Sequence, residues 1–282
     1  MNFVRVGLLL PALSVAIASF AVLALAGVHG TVWVVQAMAV VAAFTIAVAG
    51  KLLGRWYSAP LPAGLILSAT LIGIAAPMFW NKPDPERWVP LGPLSLYVTP
   101  VFLPTFFMAC STCFDRSGMW KRMALIAILG TSLLLALQPD GSQALALLMG
   151  AAVVIARARE RSPFAIVALI LAALATACAV TRPDLLDPIP YVEGVFELSL
   201  GYSLFAGVAV VASAVALIVF LHLNSTSAGR GLSAVAAYYA VLYACSVAGL
   251  TPAPLIGYGA GPWLGFGFML GAVSWNVAKR DA

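Results

Sequence analysis

Long stretches without a charged residue run through most of this 282-residue chain, and they set the strongest limit on its fold. A helix that crosses a lipid bilayer needs roughly 20 consecutive, mostly apolar residues. Hydrophobic residues make up 63% of the chain and charged residues only 9%, whereas a soluble domain usually carries about 25% charged residues. So few charges cannot cover a water-soluble globule, and the high hydrophobicity excludes a disordered chain. The sequence therefore predicts a protein embedded in a membrane.

The number of crossings follows from these charge-free stretches. The last one is too long for a single crossing, and its middle, Gly249 to Pro262, holds three prolines and four glycines, which are typical of a loop. Dividing it there predicts about ten transmembrane helices and an all-α polytopic membrane protein. The fifth and sixth stretches are short for two crossings. The stretches are Val6–Val28, Thr31–Gly50, Trp56–Asn81, Trp88–Phe114, Met123–Pro139, Gly141–Ala156, Ser162–Thr181, Leu198–Gly229 and Gly231–Ala278.

The loops between the predicted helices separate the two signs of charge. Cytoplasmic loops of membrane proteins collect Lys and Arg. If the N-terminus is cytoplasmic and the crossings alternate, 12 of the 15 basic residues face the cytoplasm, and only Lys82, Arg87 and Arg182 lie outside. We therefore expect cytoplasmic N- and C-termini. Seven of the ten acidic residues fall outside instead, which is either chance in a small sample or a sign of chemistry in the outer loops.

The remaining composition favours membrane lipid as the surroundings and offers no metal site. The net charge of +5 is not gathered into one patch, so nucleic acid is not an expected partner. Cys110 and Cys113 form a C-x-x-C motif, but at the predicted cytoplasmic end of their helix, where thiols stay reduced. We expect the cysteines to be small packing residues. His29 and His222 fall on opposite sides of the membrane and cannot share a metal ion.

Four predicted outer loops carry the most specific sequence patterns. They follow the third, fifth, seventh and ninth crossings in that order. The segments are Glu86–Leu94 (ERWVPLGPL), Gln138–Ala144 (QPDGSQA), Ile189–Phe196 (IPYVEGVF) and Gly249–Gly261 (GLTPAPLIGYGAG).

Taken together, the four segments resemble the SEDS family of shape, elongation, division and sporulation proteins, which includes FtsW, RodA and SpoVE. The family shows R-R-W-I-x-L-G-P, Q-P-D-L-G-T-A, L-P-x-x-H-T-D-F-I-F and G-L-x-P-x-T-G-x-P-L-P-F-I-S-Y-G-G in these loops. The similarity runs from about Gly54 to Arg280. It implies one transmembrane domain over residues 1–282, with ten crossings, in the bacterial cytoplasmic (inner) membrane.

The resemblance also implies an activity. Family members polymerise the glycan strand of peptidoglycan from lipid II at the outer face of that membrane, beside a penicillin-binding transpeptidase, and so serve cell division or cell shape. Lipid II or a related undecaprenyl-linked glycan is the expected substrate. Sugar transfer needs a base at the acceptor hydroxyl and help for the developing pyrophosphate charge. No cofactor is certain, although a divalent cation could arrive with the pyrophosphate.

The resemblance assigns candidate site residues one by one. The essential family aspartate corresponds to Glu193, which is the predicted catalytic base. Without the resemblance, Glu193 would be interpreted as a solvated loop acid. Five residues are candidates for substrate binding, and four of them also have a simpler explanation. Arg87 and Trp88 could anchor the chain at the membrane boundary, Asp140 could belong to a tight turn, and Tyr258 could only fill space. The candidates are Arg87, Trp88, Arg182, Asp140 and Tyr258.

The sequence also departs from the family pattern. The family has Q-P-S-E-x-x-K at the start of its fourth crossing, but here Tyr97–Pro100 replace the first four residues and Leu103 replaces the lysine. The serine of I-S-Y-G-G is Gly257, and the loop before the catalytic segment is cut to Arg182–Ile189. Either Arg87 and Arg182 serve the pyrophosphate, or the reaction has been lost.

Three functions therefore compete at the level of sequence. The first is a glycosyltransferase that acts on a lipid-linked sugar. The second is a catalytically degenerate protein that binds partners or the lipid-linked precursor. The third is a transporter of a lipid-linked glycan, but transporters need ionisable residues within their helices, and this sequence has almost none.

Overall fold

Helices account for most of the computed structural model, which describes residues 3–53, 60–79, 87–92, 94–116, 118–182 and 189–280. The helices are α1 (Phe3–Leu25), α2 (Gly30–Leu53), α3 (Pro60–Ala75), α4 (Thr99–Phe114), α5 (Met119–Leu137), α6 (Gly141–Arg157), α7 (Pro163–Val180), α8 (Val195–Tyr202), α9 (Leu204–Leu223), α10 (Ser225–Ala228), α11 (Gly231–Val247) and α12 (Ala260–Arg280).

The all-α polytopic prediction is confirmed. Within the described ranges, ten helices have 16 or more residues, and each falls on one predicted crossing. Five apolar segments reach the 18 residues needed to span a bilayer by length and composition. Large apolar side chains such as Ile72 and Leu204 lie exposed on the outside of the bundle, as expected for surfaces that contact lipid. The five segments are Gly30–Gly50, Pro62–Phe79, Met119–Leu137, Pro163–Val180 and Leu204–Leu223.

The fourth crossing is shorter than predicted, because the first ten residues of the predicted segment form a β-hairpin. Strand β1 (Trp88–Leu91) pairs antiparallel with β2 (Leu94–Tyr97), and Trp88 lies opposite Tyr97. Gly92, with φ of +64°, makes the turn, a conformation that glycine adopts without steric cost. Pro90 lacks the amide hydrogen that a helix interior requires. Helix α4 begins only at Thr99, with Pro100 in its first turn.

The eighth predicted crossing is also divided. Ser203 has the extended conformation, with φ −164° and ψ 151°, and its side chain accepts a hydrogen bond from the amide of Ala206. A serine in this position caps the N-terminus of the next helix. The short helix α8 therefore ends at Tyr202 and α9 begins a new direction at Leu204.

Close packing of small residues joins helices from opposite ends of the chain. A Cβ atom added at Gly50 in α2 would lie 2.5 Å from the Cα of Gly271 in α12, and one at Gly267 would lie 2.5 Å from the carbonyl oxygen of Ala43. Small residues allow such backbone contact between membrane helices, where van der Waals packing is a main source of stability. Helix α11 lies inside the bundle, with Tyr238 and Tyr239 almost fully buried.

Polar contacts sort the connections into two ends of the bundle. At one end, Lys121 contacts Glu160 at 2.7 Å and Arg230 contacts Asp115 at 3.3 Å, which brings together the α4–α5, α6–α7 and α9–α11 connections. We call it the basic end. The β-hairpin and the α5–α6, α7–α8 and α11–α12 loops meet at the other end, the site end. This sorting of the loops agrees with the predicted topology, while the cytoplasmic position of the termini stays a prediction.

Candidate functional site

Arg87, the residue before the β-hairpin, fastens that hairpin to the end of α5. Its side chain is only 8% exposed. The guanidinium donates to the carbonyl oxygens of Gln138, at 3.4 Å, and Pro139, at 2.9 Å. The last carbonyls of a helix lack partners within the helix and carry a partial negative charge, so a cation there is favourable. Trp88 follows and stacks on Tyr97 at 5.1 Å.

Asp140 caps the N-terminus of α6 and contacts strand β2 of the hairpin. Its carboxylate, on a residue only 2% exposed, accepts a 2.6 Å hydrogen bond from the hydroxyl of Tyr97 and a 3.4 Å bond from the amide of Gln143. Burial and the Asp140 carboxylate raise the pKa of Tyr97 well above its usual value of 10. Tyr97 therefore stays protonated and donates a hydrogen bond to Asp140. These contacts favour the turn interpretation of Asp140.

Arg182 reaches the same helix end from the other side. Its Nη1 donates to the carbonyl oxygens of Ala136, at 3.2 Å, and Leu137, at 3.4 Å. The structure thus brings the guanidiniums of Arg87 and Arg182 to consecutive carbonyls at the end of α5. Arg182 is exposed whereas Arg87 is buried. A guanidinium has five N–H donors, so Arg182 can bind the helix end and an anion together.

Glu193 lies in a tight turn at the start of α8. The amides of Val192 and Glu193 both donate to the carbonyl of Ile189 at 2.9 Å. The Oε2 of Glu193 in turn accepts from the amide of Ile189 at 2.8 Å, so the side chain closes its own turn. The Glu193 carbonyl accepts from the hydroxyl of Ser246 at 3.2 Å, which links the turn to α11. The side chain is half-buried.

The loop from Gly249 to Gly259 packs directly on this turn. The amide of Tyr258 donates to the carbonyl of Tyr191 at 2.9 Å, and the amide of Ala253 donates to that of Val192 at 2.9 Å. The rings of Tyr191 and Tyr258 meet edge to face at 6.1 Å. Burial, with a contribution from Tyr191, raises the pKa of Tyr258, so its hydroxyl stays protonated. The turn that contains Glu193 and the loop that contains Tyr258 are therefore joined through their backbones.

Sequence reasoning missed Gln36, whose side chain fixes this loop through hydrogen bonds to Gly257 and Gly259. The residue is 0% exposed. Its Nε2 donates to the hydroxyl of Ser19 at 2.8 Å and to the carbonyl of Gly257 at 3.4 Å, and its Oε1 accepts from the amide of Gly259 at 3.1 Å. A signal existed in the sequence, since Gln36 is the one amide side chain in the apolar run Thr31–Gly50. Amide side chains in membrane helices usually hydrogen-bond across helices.

The candidate residues thus form two groups at the site end. The α5 group contains Arg87, Trp88, Asp140 and Arg182, and the Glu193 group contains Gln36, Glu193 and Tyr258. Helix α6 connects them, because the hydroxyl of Ser142 donates to the carbonyl of Leu250 at 3.2 Å. Within the described ranges, no three His, Cys, Asp or Glu residues are grouped so as to hold a metal ion.

Solved structures share the arrangement of helices over almost the whole chain. RodA, the rod shape determining protein of Thermus thermophilus, superposes with a TM-score of 0.76 over 98% of this chain and 97% of its own, at 21% identity. A variant of the same RodA with an aspartate replaced by alanine gives a TM-score of 0.76 at 20% identity, over 98% of both chains. The chain has the RodA fold.

Another solved structure extends the comparison. A chain from a peptidoglycan synthase complex, described for its structural coordination of polymerization and crosslinking, superposes with a TM-score of 0.68 at 19% identity, over 98% of this chain and 97% of its own. No protein-family model and no curated protein matches the sequence. At these identities the RodA-like structures establish the fold, and they confirm at that level the resemblance drawn from the four loops.

Within this RodA-like fold, the position of the missing family lysine is filled by packing. Leu103 is 0% exposed and belongs to the core of α4. Pro100, at the position of the family glutamate, is buried as well. Thr99, at the position of the family serine, is also buried, and its hydroxyl has no hydrogen-bond partner in the described part of the chain. The charged pair of that motif has no equivalent on this face of α4, whose inner positions are apolar or uncharged.

Proposed function

We propose that this chain is a SEDS-like cell-wall synthesis protein, one transmembrane domain in the bacterial cytoplasmic membrane, and that it transfers sugars from a lipid-linked precursor such as lipid II. Glu193 acts as the general base in this proposal. The observation that carries it is the joining of the Glu193 turn to the Tyr258 loop, two segments that correspond to separate family motifs, through the Tyr258–Tyr191 and Ala253–Val192 backbone bonds.

The chemistry assigns a part to each group of residues. The Glu193 carboxylate takes the proton from the acceptor hydroxyl as the new glycosidic bond forms. The bond between the donor sugar and the pyrophosphate breaks, and negative charge grows on the leaving pyrophosphate. Arg182 is exposed and is oriented by its hydrogen bonds to the end of α5, and it supplies positive charge to the leaving pyrophosphate. The buried Arg87 adds positive charge at the same helix end. A divalent cation carried by the pyrophosphate would supplement them.

The second candidate function is binding without polymerisation. It is favoured by Leu103, a fully buried leucine where the family has a lysine. A protein of this kind would hold the lipid-linked precursor, or a penicillin-binding transpeptidase, at the site end. Transport of a lipid-linked glycan has less support, since the described helices carry few ionisable residues in their interiors.

Substitution of Glu193 separates these functions. Glu193→Gln keeps an oxygen that can accept from the amide of Ile189, so the turn should survive while the base is lost. Purified protein, with and without a penicillin-binding transpeptidase, is supplied with labelled lipid II in the presence of Mg²⁺ or a chelator. We expect glycan polymer from the wild type and a rate about 10²–10⁴-fold lower from Glu193→Gln.

Glu197→Gln is the matched control, because Glu197 is an exposed acid in the first turn of α8, four residues further on. It should polymerise at the wild-type rate. If the wild type binds lipid II but yields no polymer under any condition, the binding function holds and the catalytic one does not. Equal rates from Glu193→Gln and the wild type would remove Glu193 from the mechanism.

A further inference from the structure

A single amide side chain, that of Gln36, uses three hydrogen bonds to fix the α11–α12 loop against the N-terminal helices. Two of its partners, Ser19 in α1 and the Gly257 carbonyl, receive its Nε2 hydrogens, and its Oε1 receives the amide hydrogen of Gly259. Both Gln36 and Ser19 are 0% exposed. Leaving a buried amide without partners is costly, so these bonds strongly favour one position of the loop.

The two loop bonds of Gln36 fall on either side of Tyr258. The Gly257 carbonyl belongs to the peptide group before Tyr258, and the Gly259 amide belongs to the peptide group after it. One side chain therefore fixes both peptide planes that set the direction of the tyrosine. No other side chain of the described residues is seen to bond to both of these groups.

The loop contacts the Glu193 turn directly, so the position of the loop determines the position of the turn. The amide of Tyr258 binds the carbonyl of Tyr191, and that of Ala253 binds the carbonyl of Val192. The Cα of Gly257 also lies so close that a Cβ atom there would be 2.5 Å from the Val192 oxygen. A shift of the loop must therefore move Tyr191 and Val192, the two residues immediately before Glu193.

We infer that Gln36 is a positioning residue, which sets the placement of Tyr258 and Glu193 relative to each other from the interior of α2. This inference rests on the proposed function for its catalytic consequence, although the structural coupling can be tested without it. Gln36 is fully buried, so we do not expect it to touch substrate. It acts through the loop, and its loss should lower turnover more than it weakens substrate binding.

The first test measures the loop itself. Hydrogen–deuterium exchange is followed by mass spectrometry on peptides covering residues 251–261 and 189–195 of the full-length protein. Gln36→Met keeps the length of the side chain and removes all three hydrogen bonds. We expect exchange in both peptides to rise about tenfold or more, while peptides from α5, α6 and α7 keep the wild-type rate. Ser19→Ala removes one bond and should give a smaller rise in the same peptides.

The matched control is Thr45→Val in the same helix. The hydroxyl of Thr45 is exposed and binds only the carbonyl of Val41 within α2. It should leave exchange unchanged. Unchanged exchange at 251–261 in Gln36→Met would overturn the inference. So would a uniform rise over the whole bundle in both Gln36→Met and Ser19→Ala, since it would mean that Gln36 supports the fold in general.

The second test measures polymerisation of lipid II by the same variants. For Gln36→Met we expect kcat to fall at least about tenfold with KM changed by less than about threefold, and Thr45→Val to match the wild type. A rise in KM with unchanged kcat would overturn the positioning function. If the wild type makes no polymer, the proposed function fails, yet the exchange experiment still decides whether Gln36 controls the Glu193 turn.

Discussion

At the scale of single residues, Gly257 allows the α11–α12 loop to pack closely on the Glu193 turn. The family has serine at this position, but here the Cα packs on the carbonyl of Val192, and a Cβ atom would lie 2.5 Å from that oxygen and 3.0 Å from the carbonyl oxygen of Ala253. Both obstacles are backbone atoms, which cannot rotate away as a side chain can. The glycine therefore permits the loop to rest directly on the Glu193 turn.

This contact predicts that a serine at position 257 is harmful. Gly257→Ser should lower the free energy of unfolding by about 1–3 kcal/mol, the usual cost of overpacking, and should reduce any polymerisation. Gly201→Ser is the control, because a Cβ atom at Gly201 meets nothing within 4 Å. Thermal unfolding in detergent measures both variants. Equal melting temperatures for Gly257→Ser and Gly201→Ser would contradict the close contact.

At the scale of elements, the basic end is joined by ion pairs between connections. Lys121, in the first turns of α5, contacts Glu160 in the α6–α7 connection at 2.7 Å. Hydrogen bonds from Lys121, and then from Ser162, lower the pKa of the Glu160 carboxyl. A carboxyl whose pKa is lower in the folded protein stabilises the fold above its unfolded pKa, near 4.5. That contribution is lost as the pH falls through the lowered value.

The pH dependence of this pair can be measured with Glu160→Gln. At pH 7 the variant should be less stable than the wild type, by no more than about 1 kcal/mol because the pair is close to solvent. The difference should shrink below pH 4.5 and vanish once the wild-type carboxyl is protonated. Melting temperatures across this range test it, with Glu197→Gln at the site end as the control. A difference that persists unchanged to low pH would show that the ion pair is not its source.

At the scale of the whole molecule, the seam between α2 and α12 is a backbone contact. In an ordinary helix, replacing glycine by alanine stabilises by up to about 1 kcal/mol. At Gly50 the sign should reverse, because the new Cβ atom would lie 2.5 Å from the Cα of Gly271. We expect Gly50→Ala to destabilise the bundle by about 1–3 kcal/mol.

Gly30→Ala provides the comparison within the same helix. A Cβ atom at Gly30 meets nothing within 4 Å, so this variant should be neutral or slightly stabilising. Thermal unfolding and the yield of folded protein in detergent give the measurement. If both alanine variants changed stability in the same direction, the close backbone contact between α2 and α12 would be contradicted.

How far the sequence predicts this molecule depends on the range of the interaction. The ten long helices were predictable, because long apolar runs are a property of local sequence. The β-hairpin was missed, since counting charges ignores Pro90 and Gly92, which lie in it. The division of the eighth crossing was missed for a similar reason, because it depends on the capping side chain of Ser203.

The site was predictable only through resemblance to a family. Arg87 binds the carbonyl of Pro139, a residue 52 positions away, and nothing in either local sequence indicates that contact. Resemblance assigned Glu193 and Tyr258 to one site, and the structure shows their loops in contact, while their roles stay predictions. It could not identify Gln36, because the part that this buried amide plays depends on a loop that is distant in sequence.

The bond between Gln36 and Gly257 also has a consequence in time. Its two partners are 221 residues apart in the chain, and at ~5–20 residues per second a ribosome needs roughly 10–45 s to make the segment between them. Helix α2 is thus inserted long before the loop that satisfies its amide exists. During synthesis Gln36 hydrogen-bonds elsewhere, to Ser19 or to water, and the Glu193 turn gains its contacts with the loop only after residues 249–259 have been made.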